Sequence, residues 1–367
     1  MAKILQIGNY PPPMCGWAIQ TMLVTEELRR RGHVCRVLNI NENRRVKSPE
    51  FIDVQNGFDY VFKLMAFVLR GYRLHAHVNG ESPKGYLLAL IAVLLGRLFA
   101  RPATLTFHGG LPQTYFPRKE LRLRWPFRFL FRMAGQISCD SWEIEQAIES
   151  YGVGRQRIAS IPCFSAELVE FLPVPLLPQI EAFLSTHFPV FSCYVSYRPE
   201  YRLPVLREAM PRFRQVYPNA GFIWVGFPAK ELLSAQTSLG EWPKDEAESL
   251  LLLGNLPHAE FLTLQRRCSA CIRTPACDGV SASVLEALAL GIPVVASENG
   301  RRPVGVITYL EHDAADLCSK LVFLMEHYES VKAGTRVETV KNNTKDMVDW
   351  LLAGPANTTT KRLAHVG

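Results

Sequence analysis

The side chains best suited to chemistry lie in one stretch, Cys277-Asp278-Gly279-Val280-Ser281-Ala282-Ser283-Val284-Leu285-Glu286. Two carboxylates, Asp278 and Glu286, bracket small and hydroxyl-bearing residues. Ala270–Thr274 ahead of them is an apolar run of strand type, and Ala287, Leu288, Ala289 and Leu290 behind them are strong helix formers. Ser283 with Glu286 three residues on spells a capping box, Gly291 stops the helix and Pro293 forbids its return. Pro293–Ser297 then reads as a buried strand. The stretch is therefore a strand–loop–helix–strand unit with acidic groups around a helix start. Free N–H groups and partial positive charge there suit a phosphate, and the carboxylates can accept hydrogen bonds from sugar hydroxyls. A plain cap at Glu286 and a plain loop carboxylate at Asp278 fit the same residues.

A lone histidine is more often structural than catalytic. His108, however, follows the apolar run Ala103–Phe107, and in open α/β sheets ligands gather outside the carboxyl ends of strands. Gly16 closes a Pro- and Gly-rich loop after the first strand-like run, Lys3–Ile7, and lacks the Gly-x-Gly-x-x-Gly of a dinucleotide fingerprint. Cys268, Cys271 and Cys277 are spaced for a metal, but a zinc site needs a fourth ligand, for which His258 is the nearby candidate.

The whole string from Asp278 to Ala296 resembles the acidic-x7-Glu signature of retaining GT-B glycosyltransferases, in particular glycosyltransferase family 4, with Asp278 where the family usually has Glu. The resemblance implies Asp278 on the hydroxyls of a donor sugar and Glu286 on the ribose. It implies Gly279, Val280, Ser281 and Ala282 on the donor and its diphosphate. Gly16 matches the family's first glycine-containing loop, with Trp17 where a second glycine is usual. Arg73–Asn79 resembles its His-x-His strand, and His108-Gly109 its Thr-x-His-Gly segment, whose histidine lies near the transferred sugar. Ile161-Pro162 is matched too, but Cys163-Phe164 replaces the usual Asn-Gly, and Asn255 in Gly254-Asn255-Leu256-Pro257 falls in the loop near the base. The family's diphosphate-binding Arg and Lys fall on Ser196 and Tyr201. Arg198 and Arg202 lie close by and are the expected substitutes, surface arginines being the alternative.

The elements that must position these residues alternate along the chain. Strands are expected at Lys3–Ile7, Val34–Ile40, Arg73–Asn79, Ala103–Phe107, Ile137–Asp140 and Ile158–Pro162. A second set is expected at Val190–Ser196, Gly221–Gly226, Leu250–Gly254, Ala270–Thr274, Pro293–Ser297 and Gly305–Tyr309, with helices between. At 367 residues and 48% hydrophobic content the chain suits two domains with ample core. The expected class is α/β: GT-B, two Rossmann-like doubly wound domains facing across a cleft. The expected domains are residues 1–171 (N-terminal, acceptor side), a Pro-rich linker 172–189 without regular structure, 190–335 (nucleotide-sugar-binding), and 336–367, a helix packing back on the first domain plus a tail.

Net charge is +7, which suits acidic partners, though no recognised motif favours nucleic acid. Pro117–Gly135 concentrates Arg122, Arg124, Arg128 and Arg132 among Trp125, Phe127, Phe129 and Phe131. Such a segment fits an anionic membrane interface, and equally a helix with core aromatics and solvated arginines. No spanning helix or signal peptide is expected, since the longest apolar run, Tyr86–Gly96, is about half the ~20 residues a span needs. The expected location is cytoplasmic, with peripheral attachment to the inner membrane face.

Together these features predict a retaining, metal-independent glycosyltransferase moving a sugar from a nucleotide-diphosphate sugar to a glycan or lipid-linked acceptor. No cofactor and no metal are expected, because no Asp-x-Asp occurs. The alternatives are a nucleotide-sugar epimerase and a catalytically silent GT-B binding module.

Overall fold

In this computed structural model, residues 1–12, 16–276, 281–300, 302–335 and 342–354 are described. Asp278, Gly279 and Val280 therefore lie outside the described residues, as does Cys277.

The chain divides into two compact units, residues 1–165 with 342–367, and residues 166–341. In the first, strands β1 (Lys3–Gly8), β2 (Val34–Asn39), β3 (Arg73–Val78), β4 (Thr104–Phe107), β5 (Gln136–Cys139) and β6 (Ile158–Ser160) form one sheet in the order β2-β1-β3-β4-β5-β6. All its pairings are parallel. The second unit repeats the plan with β7 (Val190–Tyr194), β8 (Gly221–Phe227), β9 (Leu250–Gly254), β10 (Ala270–Arg273), β11 (Val294–Ser297) and β12 (Val306–Tyr309). Its order is β12-β11-β10-β7-β8-β9, again all parallel. These are the twelve strands expected from sequence, with ends moved by at most two residues. Parallel strands are covered on both faces, so they read as near-continuous apolar runs; all seven residues of β8 are buried.

Each sheet has one place where the strand order reverses, between β1 and β3 in the first and between β7 and β10 in the second. The carboxyl ends of strands at such a reversal open a crevice where ligands bind.

Two expectations need correction. Residues 172–189 are not an irregular linker: Pro178–Thr186 is a helix with Pro178 in its first turn, where a missing N–H costs nothing. Phe171, Leu176, Ile180, Phe183 and Leu184 pack with Val190, Ile223 and Phe261, which ties the segment into the second unit. The helix Gly57–Leu69 had no sequence signal assigned to it; Asn56 caps it by accepting from the Asp59 N–H.

The helix Asn343–Ala353 packs on the helix Gly16–Arg30 through Met347, Val348 and Leu351 against Val24 and Leu28. Arg31 bridges Glu27 and Asp349 across that contact, and Arg73 and Gln136 donate to the carbonyls of Leu351 and Trp350.

Candidate active site

In the first unit the strand ends at the reversal carry a layered cluster of rings. His77 is the last residue but one of β3, before Val78, and His108 follows β4 directly. Their planes are 6° apart with centroids at 5.1 Å, and the Trp17 indole stacks on His108 at 4.7 Å. Gly8 makes room: a Cβ there would lie 2.9 Å from the His77 ring and 3.1 Å from Trp17 Nε1. Gly16 opens the helix that carries Trp17.

A hydrogen-bond chain settles which ring nitrogens carry protons. The Gln6 amide NH2 donates to the Thr21 carbonyl (3.0 Å) and to Thr25 Oγ1 (2.6 Å), so Gln6 Oε1 is left as an acceptor for His77 Nε2 at 3.4 Å. Burial holds the His77 imidazole far below its ordinary pKa, with His75 and His108 adding to the effect. A neutral His77 that donates from Nε2 must accept at Nδ1. It therefore accepts from His108 Nε2 at 2.8 Å, and His108 Nδ1 faces outward from the stack. That nitrogen meets Cys163 Sγ at 3.2 Å and Asp140 Oδ2 at 3.6 Å. His75, one register pair deeper, is pushed down to about 3 by burial and then by His108, and its Nε2 pairs with Thr106 Oγ1.

The second unit collects a different set. The helix Ala282–Ala289 starts after Ser281, not after Ser283, so Glu286 sits in its second turn and no capping box forms. Glu286 is only 3% exposed, and its carboxylate pairs with His258 Nε2 at 2.8 Å. His258 begins the helix after the Asn255 loop, and Asn255 itself accepts from the Tyr194 hydroxyl at 3.3 Å. Ser281 and Ala282 lie at the helix start, and the Ser281 side chain does not cap it.

The expected substitute cations behave unequally. Arg202, at a left-handed φ of 48°, bonds Glu311 at 3.1 Å and the Pro199 carbonyl, so its charge is already engaged. Arg198 is exposed. The buried cation is Arg273, which ends β10, is 7% exposed and donates to the Tyr194 carbonyl. Its guanidinium lies 5.3 Å over the ring of Tyr201, the position where the resemblance places a lysine. Thr274 Oγ1 holds the Tyr201 carbonyl at 2.5 Å. Sequence reasoning passed over Arg273, although an arginine closing an otherwise apolar strand was its signal. Asp140 was also passed over as a site residue, His77 was noted only within the His-x-His strand, and His258 only as a candidate metal ligand.

Of the cysteine triplet, Cys277 lies outside the described residues; His258 is taken by Glu286, and the Cys268 and Cys271 thiols are pushed up to about 12 by burial. A cavity of about 500 Å³ lined by Arg266, Arg267 and Lys332 opens at the amino ends of β7, β10 and β11, away from these groups.

In the basic segment, the helix Leu121–Met133 turns Phe127, Leu130 and Phe131 into the core, while Arg122, Arg128 and Arg132 are exposed beside exposed Trp125 and Leu121. Arg124 instead lies over the Tyr151 ring at 4.5 Å and donates to the Ser150 carbonyl. Among the described residues no helix is long and apolar enough to cross a membrane.

Residues 189–327 match the family described as Glycosyl transferases group 1. No curated protein sequence matches the chain. Among solved structures it is similar to Anabaena Alr3699/HepE in complex with UDP-glucose (TM-score 0.68, 14% identity, 96% of this chain and 100% of that one). It is similar also to S. aureus MnaA with UDP (0.69, 13%, 100% of each chain). A third is the α,α-trehalose 6-phosphate synthase of Burkholderia multivorans (0.66, 14%, 96% and 99%). The chain has the GT-B fold, and within its second unit residues 189–327 match the glycosyl transferases group 1 model.

Proposed function

We propose that the protein is a retaining glycosyltransferase that moves a sugar from a nucleotide-diphosphate sugar to a glycan or lipid-linked acceptor. The observation that carries this is the buried Glu286, set in the second turn of a helix that Ser281 does not cap, at the strand reversal of the unit matched by the group 1 model. A buried carboxylate paired with one imidazole keeps acceptor capacity for a ribose diol. The open helix start and Arg273 supply positive charge for a departing diphosphate, which is where electrostatic stabilisation matters most. In the reaction the bond from C1 to the diphosphate oxygen breaks and the acceptor oxygen bonds C1 on the same face. The acceptor proton leaves with the nucleotide. His108 is assigned to the transferred sugar, Gly16 to the donor, and Asp278 to the sugar hydroxyls by resemblance. No metal is assigned to the diphosphate.

UDP sugars are the first donors to try, since two of the similar structures are complexes with UDP or UDP-glucose. Incubation with each donor, with and without acceptor, and NMR of the anomeric configuration of the product test transfer and retention together. An epimerase is the second reading, favoured by similarity to the UDP-GlcNAc 2-epimerase of Neisseria meningitidis (TM-score 0.62, 14% identity). It predicts a changed sugar still attached to its nucleotide.

The acceptor is proposed to lie at an anionic membrane, on which the first unit docks. Three successive packed helices carry exposed apolar side chains there: Phe58, Phe62 and Leu69; Leu87 and Leu98; Leu121 and Trp125. Exposed Arg70, Lys84, Arg97, Arg122, Arg128 and Arg132 accompany them. Apolar insertion and anionic attraction act together in such a surface.

A further inference from the structure

We propose that His108, Asp140 and Cys163 form a zinc site in the first unit, with Cys163 binding as the thiolate. Their ligand atoms already converge. Cys163 Sγ lies 2.9 Å from Asp140 Oδ1 and 3.2 Å from His108 Nδ1, and His108 Nδ1 lies 3.6 Å from Asp140 Oδ2. With metal–ligand bonds of about 2.0–2.3 Å, a tetrahedral zinc sets such edges at roughly 3.3–3.6 Å. One ligand atom from each of the three residues lies within 4.8 Å of the others, so the side chains need to draw together only modestly to close the site.

The hydrogen-bond geometry points the same way. The Gln6–His77–His108 chain turns His108 Nδ1 toward Cys163 Sγ and Asp140, so one nitrogen, one sulfur and one carboxylate face a common point that a single cation can serve. Metal-bound histidines characteristically donate their other ring N–H to a fixed acceptor, and His77 Nδ1 is that acceptor. Asp140 is fixed in turn by the Gly109 N–H at 3.0 Å, and the Gln20 side-chain oxygen stands 3.3 Å from Cys163 Sγ. Three protein ligands of N, O and S type leave a fourth position for water or substrate, the pattern of an open zinc site.

Binding releases the thiol proton to solvent. Occupancy takes the free nitrogen of His108. On the glycosyltransferase reading zinc would therefore inhibit; that consequence rests on the reading, and the site does not.

The test uses the purified full chain, freed of metal and titrated with zinc against a chromogenic chelator, with cobalt as a spectroscopic probe. The expected result is one equivalent bound with submicromolar affinity and a thiolate-to-cobalt charge-transfer band. Cys163→Ser and Asp140→Asn should each weaken zinc more than about a hundredfold and abolish or shift the band, with thermal unfolding checking their fold. His77→Gln should weaken binding by about 10- to 100-fold. Zinc binding weaker than about 100 µM, or equal affinity in the Cys163→Ser and Asp140→Asn proteins, overturns the site. None of these readouts needs turnover, so they stand apart from any failure of the proposed function.

Discussion

Glu286 decides most at the residue scale, because one carboxylate is asked to serve a ligand while held by His258. A hydrogen bond to a charged group contributes about 1.5–3 kcal/mol. Glu286→Gln keeps a partner for His258, so we expect donor affinity to fall about ten- to a hundredfold while stability drops by no more than about 1 kcal/mol. Equal donor affinity with lowered stability, measured by calorimetry and denaturant unfolding, would make the residue structural only. Arg273 and Arg202 form the companion test. Arg273→Ala is expected to lower turnover more than about tenfold, and Arg202→Ala much less, since Glu311 already occupies it. A larger effect at Arg202 would return the diphosphate to the loop after β7. The sequence pointed at that loop because Arg198 and Arg202 are its nearest cations in number. It could not show that β10 lies beside β7 and brings Arg273 over Tyr201, since that neighbour relation comes from strand order.

At the scale of elements, β3 places two buried neutral imidazoles, His75 and His77, in the middle of the first sheet. The unfolded chain takes protons on them below about pH 6.5, whereas folded His75 resists down to about 3 and folded His77 is also strongly depressed. More protons bind the unfolded state in that window, so stability is full above about 6.5 and falls as pH drops. Glu27, held at about 2 chiefly by its hydrogen bond from Arg30, adds loss of the same sign below about 4.5. Urea unfolding between pH 7.5 and 4 should therefore show steadily falling midpoints, with a shallower slope in His75→Gln. A flat profile would contradict the buried neutral histidines. Strand positions were legible because buried parallel strands leave apolar runs, and β9 matched Leu250–Gly254 to the residue. The capping box failed for a local reason: Ser281 and Ser283 both offer a hydroxyl, and the helix begins at the first. The helix Gly57–Leu69 was illegible because it is apolar on its outer side too, through Phe58 at 91% exposure and Phe62. Asp59 and Lys63 alone mark a polar stripe on it, too little to set a period.

For the whole molecule, the outer apolar side chains and arginines of the first unit predict reversible binding to anionic vesicles. Co-sedimentation should be strong with anionic lipid and weak with neutral lipid. It should fall in the Arg122→Ser, Arg128→Ser, Arg132→Ser triple variant and again on Phe58→Ser with Phe62→Ser. Raising salt from 0.1 to 1 M, which shortens the Debye length from about 10 to about 3 Å, should remove the charge component and leave the apolar one. Equal binding to both lipid types would remove the membrane claim. The proposed chemistry also predicts that turnover persists in EDTA, because the diphosphate charge is met by Arg273 and a helix start. Loss of turnover restored by magnesium would contradict that. The sequence carried the two-unit plan, but its Pro-rich segment misled about the border. Phe171, Leu176, Ile180 and Phe183 between those prolines belong to the second core, and their burial depends on partners far along the chain.

The most direct test of the central claim is nucleotide release from UDP sugars by the purified full chain, followed alongside the chemical form of the sugar. The proposed function predicts slow donor hydrolysis without acceptor, with free sugar of retained configuration, and its loss in Glu286→Gln. Release of no nucleotide from any donor would contradict it, as would conversion to an epimer still bound to its nucleotide.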